Sequence, residues 1–535
     1  SGRRETRARA FSRGAAGPTQ KPMPIPRVAG VTIPLFSIRT RGDWGIGQIT
    51  DMPACAAWIR RAGHGLLQIL PPYELAAGET SPYGARTAFG LDPLYITIEA
   101  IDDLDARDVD ELLGPAGRAE RERLRGLSFV DYAGVRALKT RALRHAFQRF
   151  HAREWIKGTK RAQALSTFIE RERAWAADLA LYVALRDAHG GFGWQSWPDE
   201  QKRRSPQALA RARDALAMPI LEHQYLQWIA HTQWDRARDA MRSLGVELMG
   251  DLPFVVCGES ADVWAHADQF RLDVSLGAPP DAFAPEGQDW GLPAYDWRTM
   301  EADDLGWLRA RTRHAARLYD RFRLDHVVGY FRMFVKKPGA KGSFDPAGDE
   351  MQRAHGERVM RAMVHEARPA KVIAEDLGVI PPFVRETLRE LGIPGYKVIP
   401  WEKDNDYTFR EPREFSAVSV ATWSTHDTAP LTAWWKEFQP YEREQLTRLA
   451  HIAADASDDG KMFALLKMLF ASGSTLSLTL VQELLGETAR INTPGVVGDQ
   501  NWSYRLPKPI EDLESDEQVR ARLETIRAMA GEGGR

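Results

Sequence analysis

RFRLDH at 321–326 and KVIAEDLG at 371–378 share one plan: a short strand-like run, then an acidic residue where the run stops. Working outward from these two, six more runs read as strands: VAGVTIP (28–34), LLQIL (66–70), VELMG (246–250), GYKVI (395–399), AVSVATW (417–423) and TLSLTLV (475–481). Helical patterns fall between most of them. After the first run, Met52, Cys55, Ala56 and Ile59 recur at i, i+3, i+4 and i+7, one apolar helical face. After AEDL, Pro381-Pro382 opens a helix as first-turn prolines can. Short apolar runs alternating with amphipathic helices are the signature of βα units, and eight of them predict a (β/α)₈ barrel. A doubly wound open sheet is the alternative, but no G-x-G-x-x-G follows the first strand.

Two connections are too long for simple crossovers. Residues 71–245 read as a mostly helical subdomain, with patterns near 133–155, 168–189 and 221–244. Residues 252–320 are rich in Pro, Gly and Trp, most densely in GAPPDAFAPEGQDWGLPAYDW (277–297). Both leave the C-terminal ends of strands, the face where barrels place their sites, so they are expected to build a substrate cleft. Residues 28–510 are then the catalytic barrel with insertions after strands two and three. Residues 1–27 carry six arginines, one lysine and a single acid, and read as a flexible basic arm or a processing remnant; the composition also suits a transit peptide. Residues 511–535 read as a C-terminal tail ending in a frayed GEGGR.

Composition narrows the class. The 535 residues are 44% hydrophobic and 27% charged, which excludes wholesale disorder. Lys plus Arg 72 against Asp plus Glu 73 leaves a net charge of −1, so no global field draws the chain to nucleic acid or an anionic membrane. Cys55 and Cys257 are too few for a disulfide framework, and a cytoplasmic setting is expected. No run reaches the roughly 18 apolar residues of a membrane span. The 17 tryptophans can line a groove, although most tryptophans in any chain fill core.

Four acidic residues lie at strand ends: Asp251 in GDLPFVV, Asp325 in RLDH, Glu375 in AEDL and Asp427 in STHD. One such residue alone is more often a turn former or helix N-cap. Four at one barrel mouth, two with an adjacent His (His326 and His426), point to chemistry. The chain lacks zinc-site spacing, a P-loop and a G-x-S-x-G elbow, so no metal or cofactor is expected. What remains is carboxylate chemistry, and cleavage of a glycosidic bond needs it most directly. One carboxylic acid protonates the leaving oxygen, and one carboxylate stands beside the oxocarbenium-like carbon.

At these residues the chain resembles the amylomaltases, the 4-α-glucanotransferase family related to the α-amylases. The resemblance runs from about residue 28 to 510 through PLFSIRTRGDWGIG (34–47), SPYGARTAF (81–89), GDLPFVV with SADVWA (250–256, 260–265), GAPPDAFAPEGQDWG (277–291), FRLDH (322–326), IAEDLG (373–378), WSTHDTAPLTAWW (423–435) and INTPG with NW (491–495, 501–502). Gly84-Ala85-Arg86 stands where small polar residues are commoner in that pattern. The resemblance implies a (β/α)₈ barrel and a retaining transglycosylase that moves α-1,4-glucan segments onto the 4-hydroxyl of glucose or another glucan. Its substrates would be maltooligosaccharides and starch- or glycogen-derived glucans. It implies that Asp325 is the nucleophile, Glu375 the acid/base and Asp427 the third carboxylate holding sugar hydroxyls. It implies that Arg323 orients the nucleophile, that His426 bonds sugar hydroxyls, and that Asp251 is a structural or substrate-contacting aspartate. Tyr83 matches a tyrosine that stacks on the donor glucose, Trp290 lies in a loop over the acceptor side, and Asn492 belongs to a loop beside the site. The rival readings are an α-amylase-like hydrolase using the same carboxylates and a catalytically silent glucan-binding protein; the three intact carboxylates argue against the second.

Overall fold

The computed structural model describes residues 26–280, 287–496, 498 and 500–535. The basic arm read in residues 1–27 therefore lies, but for its last two residues, outside the described residues. All eight expected strands form, and they close into one parallel barrel: β1 (Val28–Thr32), β2 (Leu66–Gln68), β3 (Glu247–Leu252), β4 (Arg321–Leu324), β5 (Lys371–Ala374), β6 (Gly395–Val398), β7 (Ser419–Thr422) and β8 (Leu476–Leu480). They pair in chain order, and β8 returns to β1 through Val28↔Leu476 to Thr32↔Leu480. The barrel interior packs Leu66, Met249, Ile373, Tyr396, Val420, Leu476 and Leu478. Crossover helices cover the outside. On Met52–Arg61 the predicted face of Met52, Cys55, Ala56 and Ile59 is fully buried. Pro382–Glu390 opens behind Pro381 and buries Phe383, Val384 and Leu388.

The insertion after β2 is helical. Tyr132–Phe150, Arg173–Ala188 and Ala217–Ser243 match the three patterns read from the chain, and Lys160–Arg171 lies mostly between the first two. A further helix, Ala106–Gly126, escapes the periodicity because Gly114 (φ 58°, ψ −172°) and Pro115 kink it in the middle and its surface is mostly charged. The insertion after β3 carries helices Trp297–Ala302 and Gly306–Leu318. It does not build the cleft wall alone. Ser275–Ala278 pairs with Met333–Lys336 and with Gln288–Asp289, and Met333–Lys336 pairs with Ser343–Asp345. The connection after β4 thus supplies two of the four strands of this small sheet, so insertions after strands two and three do not suffice.

The C-terminal tail is a correction. Residues 511–535 hold helices Ile510–Ser515, begun one residue earlier, and Glu517–Glu532, which buries Leu523, Ile526, Met529 and Ala530. The GEGGR end is held as well: the Arg535 guanidinium donates to the carbonyls of Phe470, Ser474 and Thr475 at 2.8, 2.8 and 3.1 Å. These carbonyls sit where the chain enters β8, so the last helix latches onto the N-terminal end of the barrel. Among the described residues no helix is long and apolar enough to cross a membrane.

Candidate active site

The register of the barrel brings the acidic residues together. In the β3–β4 pairing Asp251 stands opposite Arg323, both turned inward, and Arg323 Nη1 donates to Asp251 Oδ2. Asp251 is therefore inside β3, one residue before its end, and fully buried. Asp325 is two residues beyond Arg323 on the same face and accepts from Arg323 Nη2 at 2.7 Å. Arg323 thus ties Asp251 to Asp325. Burial disfavours its charge, but Asp251 and Asp325 more than offset this and raise its pKa well above the usual value.

The β4–β5 register ends at Leu324↔Ala374, so Asp325 and Glu375 emerge side by side from neighbouring strands. Glu375 N–H donates to Leu324 O at 3.0 Å, and Val327 N–H donates to Glu375 O at 3.1 Å, fixing both strand ends. The Glu375 side chain accepts from the His326 N–H at 2.8 Å. His326 aims that N–H by adopting a left-handed backbone (φ 45°), a conformation rare for residues other than glycine. Burial, with the Asp325 charge, pushes the Glu375 carboxyl up to about 7 although Arg323 and the His326 N–H oppose it. The next residue, Asp376, serves the barrel rather than the cleft. Its Oδ1 accepts from Tyr396 N–H at 2.7 Å and so holds the start of β6.

Asp427 follows β7. Its Oδ1 accepts from Asn492 Nδ2 at 2.7 Å, and its Oδ2 lies 3.2 Å from His426 Nε2. Burial would raise the Asp427 carboxyl, but His426 and Asn492 hold it well below the usual carboxylate range; burial likewise opposes a charged His426, which Asp427 raises. His426 Nε2 also lies 2.9 Å from the Tyr83 hydroxyl, which donates to Asp251 Oδ2 at 2.8 Å. One polar chain therefore runs from Asn492 through Asp427, His426, Tyr83, Asp251 and Arg323 to Asp325. The Tyr83 ring stacks on His426 with centroids 5.6 Å apart. Trp290 meets the His326 ring edge to face at 4.9 Å, and His326, its pKa lowered to about 4 by burial, is the neutral ring between Trp290 and Phe254. Part of the motif leading to Trp290, residues 281–286, lies outside the described residues.

A cleft of about 700 Å³ opens over Glu375 and Asp427, floored by Thr32, Gln68 and Tyr396 and flanked by the half-exposed Trp401. The sequence reading missed Trp401. It also left Trp502 without a role, although the Asn501-Trp502 pair was in view. Trp502, itself left-handed (φ 59°), packs against Tyr83 at 5.7 Å and His426 at 6.1 Å. Arg86, the departure from the family pattern, does not face the cleft. It pairs with Glu74, which also bonds His223 at 2.9 Å and Gln227 at 3.2 Å in a buried network.

A family model described as 4-alpha-glucanotransferase matches residues 33–511. The chain belongs to this 4-alpha-glucanotransferase family. A curated 4-alpha-glucanotransferase of Thermus thermophilus is 30% identical over 95% of this chain and 100% of its own. That of Chlamydia pneumoniae is 29% identical over 93% and 94%. Among solved structures, an amylomaltase from Streptococcus agalactiae in complex with acarbose is 25% identical, covers 94% of this chain and 99% of its own, and superposes with a TM-score of 0.80. In this 4-alpha-glucanotransferase family member, the match spans β2–β8 and both long insertions.

Proposed function

We propose that Asp325, Glu375 and Asp427 carry out retaining transfer of α-1,4-glucan segments from a donor maltodextrin to the 4-hydroxyl of glucose or another glucan. The observation that carries the reading is the pairing of unlike carboxyls at adjacent strand ends. Asp325 lies against a guanidinium at 2.7 Å, while burial keeps Glu375 protonated up to about pH 7. The Asp325 carboxylate attacks the anomeric carbon as Glu375 gives its proton to the glycosidic oxygen, and the sugar on the reducing side departs with that proton. The ester bond to Asp325 is then displaced by an acceptor 4-hydroxyl, whose proton returns to Glu375. Two inversions leave the α configuration unchanged. Asp427, oriented by Asn492 and His426, holds the hydroxyls of the reacting glucose, and Tyr83 and Trp502 flank it. Maltooligosaccharides and starch- or glycogen-derived glucans are the substrates this cleft fits, and a cytoplasmic setting accords with the two free thiols, Cys55 and Cys257.

Transfer and hydrolysis share every step up to the covalent sugar and differ in what intercepts it. Transfer makes one bond for each bond cleaved, so the count of reducing ends stays constant while chain lengths spread. With maltotriose as the only substrate, chromatography should give glucose together with maltopentaose and longer chains, with little rise in reducing power. If reducing ends rise in step with maltotriose consumed and no chain exceeds the substrate, the α-amylase-like reading replaces this one.

A further inference from the structure

The opposite end of the barrel opens into a second cavity, of about 830 Å³, where the strands begin. Its apolar surface is offered by the part-exposed Val28, Ala370, Leu391 and Val418, backed by the buried Ile373 and Leu476. Its rim is cationic. Arg242 and Arg321 are matched by Asp320 and Glu247, the only two acids that line it among the described residues. Arg27, Arg60, Arg368, Lys371 and Arg535 also line it, and none of these pairs with a carboxylate among the described residues. Arg27 and Arg535 come from opposite ends of the fold, yet both donate to the carbonyls of Phe470 and Ser472, which sets two like charges side by side. Burial and the Arg27 charge push the Arg535 guanidinium down to about 9, and Arg27 Nε is buried with no partner among the described residues. Residues 1–25, which join the rim at Pro26, carry five arginines and a lysine against one glutamate and so bring no surplus of counter-charge.

A lone exposed Arg60 or Lys371 is simply solvated. Five cations without a carboxylate partner among the described residues, set around one concavity in a chain whose net charge is −1, are different. Low-dielectric walls focus their field into the hollow. The hollow has the volume of a small-molecule site, and its concave shape excludes a duplex or a bilayer. A phosphoryl group, with a charge of nearly −2 and three acceptor oxygens, matches several cations converging on one hollow better than a single carboxylate does. The apolar surface calls for an organic part that a bare ion lacks.

We infer that the N-terminal mouth of the barrel binds a phosphorylated small molecule, its phosphate held by the exposed Arg60, Arg368 and Lys371 and its organic part seated on the part-exposed Val28, Leu391 and Val418. This site lies at the far end of the strands from Glu375 and Asp427, and the inference is independent of the glucan reading.

The test is calorimetric titration of the full chain with adenosine triphosphate, glucose 6-phosphate and inorganic phosphate in about 150 mM salt, where surface charge is already screened beyond roughly 8 Å. At least one ester should bind, more tightly than inorganic phosphate, with affinity falling as salt rises. The double variant Arg368→Glu, Lys371→Glu changes two exposed side chains that have no partner among the described residues, and should weaken binding by about tenfold or more. Asp325→Asn should leave it unchanged, which separates this mouth from the glucan cleft. Absence of heat with both esters, equal binding of inorganic phosphate, or undiminished binding by the double variant would each overturn the inference.

Discussion

The environment of Glu375 sets the pH response. Burial raises the Glu375 carboxyl to about 7, so its proton-donating form is lost as pH rises through that value. The kcat/KM for maltotriose should therefore fall on the alkaline side with a limb near pH 7. Asp427, held below the usual range, stays charged in mild acid and adds no loss there. Replacing Glu375 by Gln should reduce cleavage of maltotriose by about 10²-fold or more, with turnover of an activated aryl maltoside restored by azide. Equal loss on both donors without azide rescue would remove Glu375 from the acid/base role. Asp325→Asn should lower kcat by about 10³-fold or more while maltohexaose still binds in a titration, because the amide keeps the shape but cannot attack carbon. Asn492→Ala removes the 2.7 Å bond to Asp427. One hydrogen bond to a charged group is worth about 1.5–3 kcal/mol, so kcat/KM should fall by about tenfold or more, and an unchanged value would reduce Asn492 to a turn former.

Among the elements, β3 shows how tightly a strand is fitted around its functional residue. Gly250 precedes Asp251, and a Cβ there would run into the buried Tyr319 ring. Gly250→Ala should destabilise the fold by about 1–3 kcal/mol through overpacking, measured by urea unfolding. The loop carrying Trp290 acts on the chemistry instead. Truncating Trp290 to Ala removes the ring that covers His326 beside Asp325. The ratio of hydrolysis to transfer should then rise, with donor cleavage less affected; an unchanged ratio would assign Trp290 to packing. These elements also mark where the sequence was legible. The strands were readable because short apolar runs alternating with amphipathic helical faces mark βα units, and the motifs at their ends named Asp251, Arg323, Asp325, His426 and Asp427 of the polar chain. The small sheet over the mouth was not readable, because its strands are only two to four residues long and its halves join through a distant pairing, Gly277 with Phe334. Trp502 was missed as a site residue because its position depends on a left-handed backbone, which local composition does not announce. The kinked Ala106–Gly126 helix was hidden by its own Gly114-Pro115 break.

For the molecule as a whole, the last helix completes the barrel. Leu523, Ile526 and Met529 are 5%, 0% and 8% exposed, and burying each contributes about 1.5–3 kcal/mol. Deleting residues 517–535 should therefore remove a large part of a net stability that is only about 5–15 kcal/mol in typical domains, and lower the thermal midpoint sharply or leave the chain insoluble. A truncated chain melting within a few degrees of the full one would show the helix to be dispensable.

The clasp of Arg27 and Arg535 on the same two carbonyls has a topological consequence. With β8 paired to β1, the strands form a ring whose order has no privileged first member, and the residues at its two ends already lie within a side chain's length of common atoms. Circular permutation is thus built into the architecture. Joining residue 535 to residue 26 by a short glycine linker and reopening the chain at the exposed Gly158, where no neighbour lies within reach of an added Cβ, should return the same closed barrel with a new beginning.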